Sequence, residues 1–161
     1  MKITYPISTD DGDGYLVLME SFEKSVLPDD IIEALGNVEI VDVTLERVSG
    51  AHATPPSILF EISNFIAGFL LDNENTILYF YCDDMHDIAR RDQSMTPQEF
   101  RSHLFSKMFD RYTFSHNMVR FINTSLRIES DRDVYIHLIA RESHLSYVNA
   151  IKSAITEMSL K

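Results

Sequence analysis

Hydrophobic and polar positions follow one another along this chain in stretches that change period several times. Ile3, Tyr5 and Ile7 alternate with polar residues and predict a first strand. The segment DDGDG at 10–14 reads as a turn: Gly12 and Gly14 tolerate positive φ, and the aspartates favour turn geometry. A second strand over 15–22 then completes a hairpin. Pro28 opens a short helical turn that ends at Leu35, with Gly36 in the closing position. Val41, Val43 and Leu45 alternate with Asp42, Thr44 and Glu46, the pattern of a half-buried strand with one wet face.

Pro55 and Pro56 suit the opening of a helix, where a missing N–H costs nothing. From there Ile58, Ile62, Phe65, Ile66, Phe69 and Leu70 recur at helical spacing on more than one face. They predict a nearly central helix, with Gly68 available for close packing. The polar stretch 72–75 breaks it, and the apolar run from Ile77 to Cys82 predicts a buried strand over 76–82. Strand 38–48, helix 55–71 and strand 76–82 have the lengths of a right-handed βαβ unit. Thr96, Pro97 and Glu99 then spell an N-cap, a first-turn proline and the third member of a capping box. The apolar stripe Phe100, Leu104, Phe105, Met108, Phe109, Tyr112 follows and predicts core packing. Two strands over 118–128 and 133–141 are joined by a polar turn at 130–133, and Ser143 caps a last helix carrying Val148, Ile151, Ile155 and Met158. The order mixes hairpins with one crossover. It predicts an α+β fold: one domain over 1–161, with a mixed or mainly antiparallel sheet of about six strands packed by three main helices.

Composition changes this picture only at the margins. The 161 residues are 45% hydrophobic, and ten Phe with seven Tyr supply a core without disulfides or metal. The one cysteine, Cys82, cannot form an internal disulfide and fits a reducing compartment. The chain start lacks an apolar signal-peptide core, and the longest apolar run, 58–71, is too short to span a bilayer. A cytoplasmic location without membrane contact is therefore the expectation. Charge says more. The net charge is −11, divided into −8 over residues 1–50, −6 over 51–100 and +3 over 101–161. An acidic chain is repelled by phosphate backbones at long range, which disfavours general nucleic-acid binding.

Candidate chemistry concentrates where the strand 76–82 runs into DDMHDIARRD. Asp83, Asp84 and Asp87 are oxygen donors that could converge on a divalent cation, and His86 could ligate it or act as general base. The spacing matches neither a calcium loop nor HExxH. An acidic turn that ends a strand and blocks edge pairing is the commoner meaning of such a run. Cys82 as a nucleophile would need His86 or Arg90 to lower its pKa, while Asp83 and Asp84 oppose that. Arg90, Arg91 and Arg101 flank the capped helix start and could join it in binding a phosphate or carboxylate; pairing with the acidic first half competes with this. The six histidines share no ligand spacing. His137 falls among core positions of a strand, and the others read as exposed. No serine stands in a GxSxG context, and GDG at 12–14 precedes a strand, not a helix.

The segments ILYFYCDD (77–84), Arg90-Arg91 and FRSHLFSKMFDRY (100–112) resemble a family of small bacterial domains with no assigned function. The resemblance implies a small bacterial cytosolic protein and carries over no catalytic residue. Two functional expectations follow. The first is a non-enzymatic interaction module without a cofactor, whose acidity suits masking a basic partner protein, as immunity proteins and antitoxins do; homo-oligomerisation stays open. Its binding surface would centre on Asp83, Asp84, His86, Asp87, Arg90, Arg91 and Arg101. The alternative is a metal-assisted hydrolase or nuclease, with Asp83, Asp84 and Asp87 as metal ligands and His86 and Asp84 in catalysis.

Overall fold

The alternation at the start of the chain folds as an antiparallel pair, β1 (Lys2–Ser8) and β2 (Gly14–Ser21), to which β3 (Glu39–Ser49) adds antiparallel. The structure, a computed structural model, describes residues 1–82, 94–117 and 120–159. The remaining elements are α1 (Asp29–Leu35), α2 (Pro56–Asp72), β4 (Thr76–Cys82), α3 (Pro97–Ser115), β5 (Phe121–Ile128), β6 (Val134–Arg141) and α4 (Leu145–Ser159). The six strands form one mixed sheet in the order β1-β2-β3-β4-β6-β5, in which β3 and β4 are parallel and the other neighbours antiparallel. The fold is α+β, a single sheet with helices on both faces. Four α-helices pack it among the described residues, α1 being a full element and not only a turn.

The pleat explains the layering. Along β4, Leu78 and Phe80 face one core with Val41, Val43 and Ile139, beneath Ile58, Ile62, Ile66 and Leu70 of α2. Ile77 faces the other core with Ile40, Leu138 and Ala140, beneath Leu35 of α1 and Val148, Ile151 and Ala154 of α4. Arg141, at the end of β6, fastens the first layer. Its guanidinium donates to the carbonyls of Leu70, Asn73 and Glu74 at 2.7, 3.2 and 3.0 Å, capping the end of α2, where a cation also meets the negative end of the helix dipole.

Several expectations change. The strand β3 has both faces covered over its first half, where Ile40, Val41 and Val43 are buried, because helices lie on each side; it becomes exposed only from Thr44 onward. The helix α2 is a one-sided cover and not a central helix, since Phe60 and Leu71 are half exposed. A side chain at Gly68 would meet open space, so close packing does not require that glycine. In the 10–14 turn only Gly12 has positive φ (86°). Gly14 already belongs to β2, and a Cβ there would lie 2.7 Å from Ser49 Oγ and 3.0 Å from Val48 Cγ2, so a larger residue would require those side chains to shift. At the last helix, Glu142–His144 form a 3-10 turn before α4, and Ser143 lies inside that turn, not at the cap. Thr96 does cap α3, accepting from the Glu99 N–H at 3.3 Å.

Candidate functional site

The register brings four connections to one end of the sheet. Gly14 pairs with Ser49, so the β1–β2 turn lies beside the loop that leaves β3; Cys82 pairs with Tyr135, so β4 ends beside the β5–β6 turn. The carboxyl ends of parallel strands are the usual place for ligands in such sheets. The charged segment after Cys82 starts from this end, but Asp83, Asp84, His86, Asp87, Arg90 and Arg91 lie outside the described residues. Among the described residues, no group of three or more His, Cys, Asp or Glu is placed to hold a metal ion. Arg101 stands on the first turns of α3, close enough to Cys82 to favour its thiolate. Burial nevertheless pushes the Cys82 thiol up to about 12, so it is protonated at neutral pH and not a poised nucleophile.

A polar network at this end joins the first hairpin to the β3–α2 loop. The Asp13 side chain is 3% exposed and lies 3.0 Å from His52 Nδ1 and 3.7 Å from an Arg47 nitrogen. Arg47 also donates to Thr54 Oγ1 at 3.0 Å, and its guanidinium lies over the Tyr15 ring. Burial alone would raise the Asp13 pKa. The hydrogen bonds and charge of His52, helped by Arg47, outweigh that and hold the carboxyl below its ordinary range. Gly50 closes the network: its φ is +85°, and a Cβ there would run into the Asp13 carboxylate and come within 2.8 Å of the Asp13 Cα. Gly50→Ala is therefore expected to destabilise the protein by more than the about 1–2 kcal/mol of the backbone conformation alone. Urea unfolding of the variant beside the wild type measures it.

A second network lies under α3. Its residues most removed from water are polar, Gln98 and Ser102. Ser102 Oγ lies 2.8 Å from His137 Nε2, and His137 Nδ1 lies 2.9 Å from Asn123 Oδ1. The amide nitrogen of Asn123 donates to Ser106 Oγ at 3.4 Å, which leaves its oxygen facing the imidazole. That oxygen only accepts, so Nδ1 carries the hydrogen and Nε2 accepts from the serine. His137 is fully buried on β6 beneath the Phe105 ring, and burial lowers its pKa to about 4. Serine, imidazole and side-chain amide thus stand in the order of a nucleophile, a base and an orienting group. Two parts of a hydrolytic site differ here: the orienting group is an uncharged amide, and the backbone N–H of Ser102 is committed to its helix.

The other flank of α3 is aromatic. Phe105, Met108, Phe109 and Tyr112 face Leu45, Ile66, Ala67 and Leu70 across an apolar cleft of about 60 Å³ floored by Leu78 and Ile139. The stripe read as core from the sequence is only half covered, and its rim continues through Tyr112, stacked on His116 at 3.9 Å, to Phe60. Beyond it Phe114 is 89% exposed.

Sequence reasoning placed His137 in a core strand but missed its partners. The signal was present: Gln98, Ser102 and Ser106 recur every four residues, a polar stripe at helical spacing beside the aromatic one. His144, expected to be exposed, is buried at 9% because the 3-10 turn tucks it against the start of α4. No helix among the described residues is long and apolar enough to cross a membrane. No family model matches the chain, and no curated protein matches its sequence.

Proposed function

We propose that this chain is a protein-interaction module of the cytoplasm that takes an apolar anchor side chain of a basic partner protein into the cleft between α2 and α3. The observation that carries this reading is the cleft itself, an almost wholly apolar opening into the core, walled by aromatic side chains that the fold leaves half exposed. Its size argues for an anchor and against a metabolite. Small-molecule sites run to about 300–1,000 Å³, whereas about 60 Å³ holds the end of one aliphatic side chain. A single apolar anchor in a desolvated pocket is how many interfaces concentrate their binding energy.

Charge supports a basic partner. The net charge is −11, and α2 carries Glu61 and Asp72 without a basic residue; α3 is mixed, with Lys107, Asp110 and Arg111. Complementary charge would speed encounter and make binding weaken with salt.

Methyl NMR with a lysine-rich amphipathic helical peptide bearing one Leu anchor tests this. Shifts are expected at Leu45, Ile66, Leu70 and Met108, with affinity falling as salt rises. Ala67→Leu fills the cleft from α2 and should weaken binding about fivefold or more, since losing one buried anchor costs over about 1 kcal/mol. Unperturbed cleft methyls at millimolar peptide, or equal binding by Ala67→Leu, would remove the basis for this reading.

A further inference from the structure

The geometry points to Ser102 as a nucleophile that accepts an acyl group from a small ester, with His137 as its general base and Asn123 as the residue that positions His137. This goes beyond the interaction reading and does not depend on it, because Ser102 and the apolar cleft lie on different flanks of α3.

Two observations carry it. The hydrogen-bond order is directional: the serine hydroxyl donates to Nε2 at 2.8 Å while Nδ1 donates to Asn123 at 2.9 Å, so the proton to be removed already points at the base. Burial keeps this base neutral at neutral pH, and it also makes it a weak one, because the imidazolium it must become is disfavoured; acylation by Ser102 is expected to be slow for that reason. Ser102, although 9% exposed, lines a second cleft of about 240 Å³ together with Ser106, Ser125, Arg127 and Tyr135. That is room for a short acyl group and its leaving alcohol, and its lining, unlike that of the first cleft, is about half polar. Arg127, paired with Asp133 at 2.7 Å and lying near the Tyr135 ring, puts a partnered and half-exposed cation in the wall of the same cleft. The hydroxyls of Ser106 and Ser125 add donors on the same lining.

In the reaction, Ser102 Oγ bonds to the acyl carbon and its proton passes to His137 Nε2. The bond from the acyl carbon to the leaving oxygen then breaks, and that oxygen takes the proton from Nε2. The products are an acyl-serine and an alcohol. Water repeats the sequence in place of the serine and releases a carboxylic acid. The uncharged Asn123 stabilises the imidazolium less than a carboxylate would, so turnover is expected to be slow and the acyl-serine to accumulate.

Incubation of the full chain with p-nitrophenyl acetate, followed by mass mapping and stopped-time kinetics, tests this. One acetyl group is expected on Ser102, absent in Ser102→Ala. His137→Gln should slow acylation about 100-fold or more. Asn123→Asp gives the outcome a merely structural network would not produce: acylation becomes faster near neutral pH, and the midpoint of its acid limb moves upward as the new carboxylate raises the His137 pKa. Absence of acetyl on Ser102, an unchanged rate in His137→Gln, or a slower Asn123→Asp with wild-type thermal unfolding would each overturn the assignment.

Discussion

Replacing His137 with Gln is expected to remove about 3 kcal/mol of acid sensitivity from the fold. The imidazole has an ordinary pKa of 6.5 and a folded value of about 4, depressed by burial. The unfolded chain therefore binds a proton between those values while the folded chain does not. Stability from this group is complete above pH 6.5 and is lost progressively as pH falls from 6.5 to 4. Below 4 both states are protonated and the loss is constant. Two and a half units at 1.36 kcal/mol each make about 3 kcal/mol, a large part of the about 5–15 kcal/mol that holds a domain together. Gln offers an acceptor and a donor to Ser102 and Asn123 but does not titrate. Its own fixed cost, from imperfect hydrogen bonding and lost volume, is independent of pH. The informative quantity is thus the difference in unfolding free energy between wild type and His137→Gln, read by urea denaturation from pH 7.5 to 4. It should shrink, or change sign, as pH falls. His144 is likewise depressed by burial and acts in the same direction, but it is present in both proteins and cancels. A difference that stays constant with pH would show that His137 is not held neutral.

Why the sequence disclosed the elements but not this network is a matter of range. Strand β4 emerged at Thr76–Cys82 as expected, because its apolar run and the polar break at 72–75 are local signals. The cap at Thr96 was legible for the same reason, being set by residues three apart. The contacts of Ser102 with His137, of His137 with Asn123 and of Asp13 with His52 span 35, 14 and 39 residues. Each depends on strand order and on which way a helix is rotated, and neither is written in local periodicity. Burial of the first half of β3 on both faces is a further case. Alternation predicts one wet face, which holds at Thr44 and Glu46; nearer the start of the strand α1 and α4 cover Ile40, and Asp42 is left half buried with its carboxyl pKa raised by burial and by Glu20 on the adjacent strand. The aromatic stripe was legible in part: Phe105, Met108 and Phe109 do pack against the core, but they are not wholly covered. Periodicity shows that Phe105, Met108, Phe109 and Tyr112 share a side of α3; it does not show whether a partner element covers that side fully. The distance between sequence and candidate site lies in that last step.

Ile77→Ala and Leu78→Ala are expected to be the most damaging apolar truncations in the sheet, each costing about 2–5 kcal/mol. Both residues are fully buried, and being adjacent on a strand they serve opposite cores. They should not be equal. Leu78 floors the cleft between α2 and α3, so the space it vacates adjoins an opening toward which Phe105 and Met108 can relax. The methionine in particular adapts at small cost. Ile77 is enclosed by Ile40, Leu138 and the α4 residues Val148 and Ile151, each only 1% exposed. The cost of a truncation rises with the residual void, so Ile77→Ala should fall in the upper part of the range and Leu78→Ala in the lower. Tyr81→Ala, on the same strand but 48% exposed, supplies the control and should cost about 1 kcal/mol or less. Urea unfolding of the three variants gives the comparison, provided the slopes match that of the wild type. An Ile77→Ala cost below that of Leu78→Ala would mean that the closed face yields more readily than the open one. The aromatic wall of α3 would then be rigidly held, and the cleft would be a fixed part of the core and not a site ready to receive an anchor.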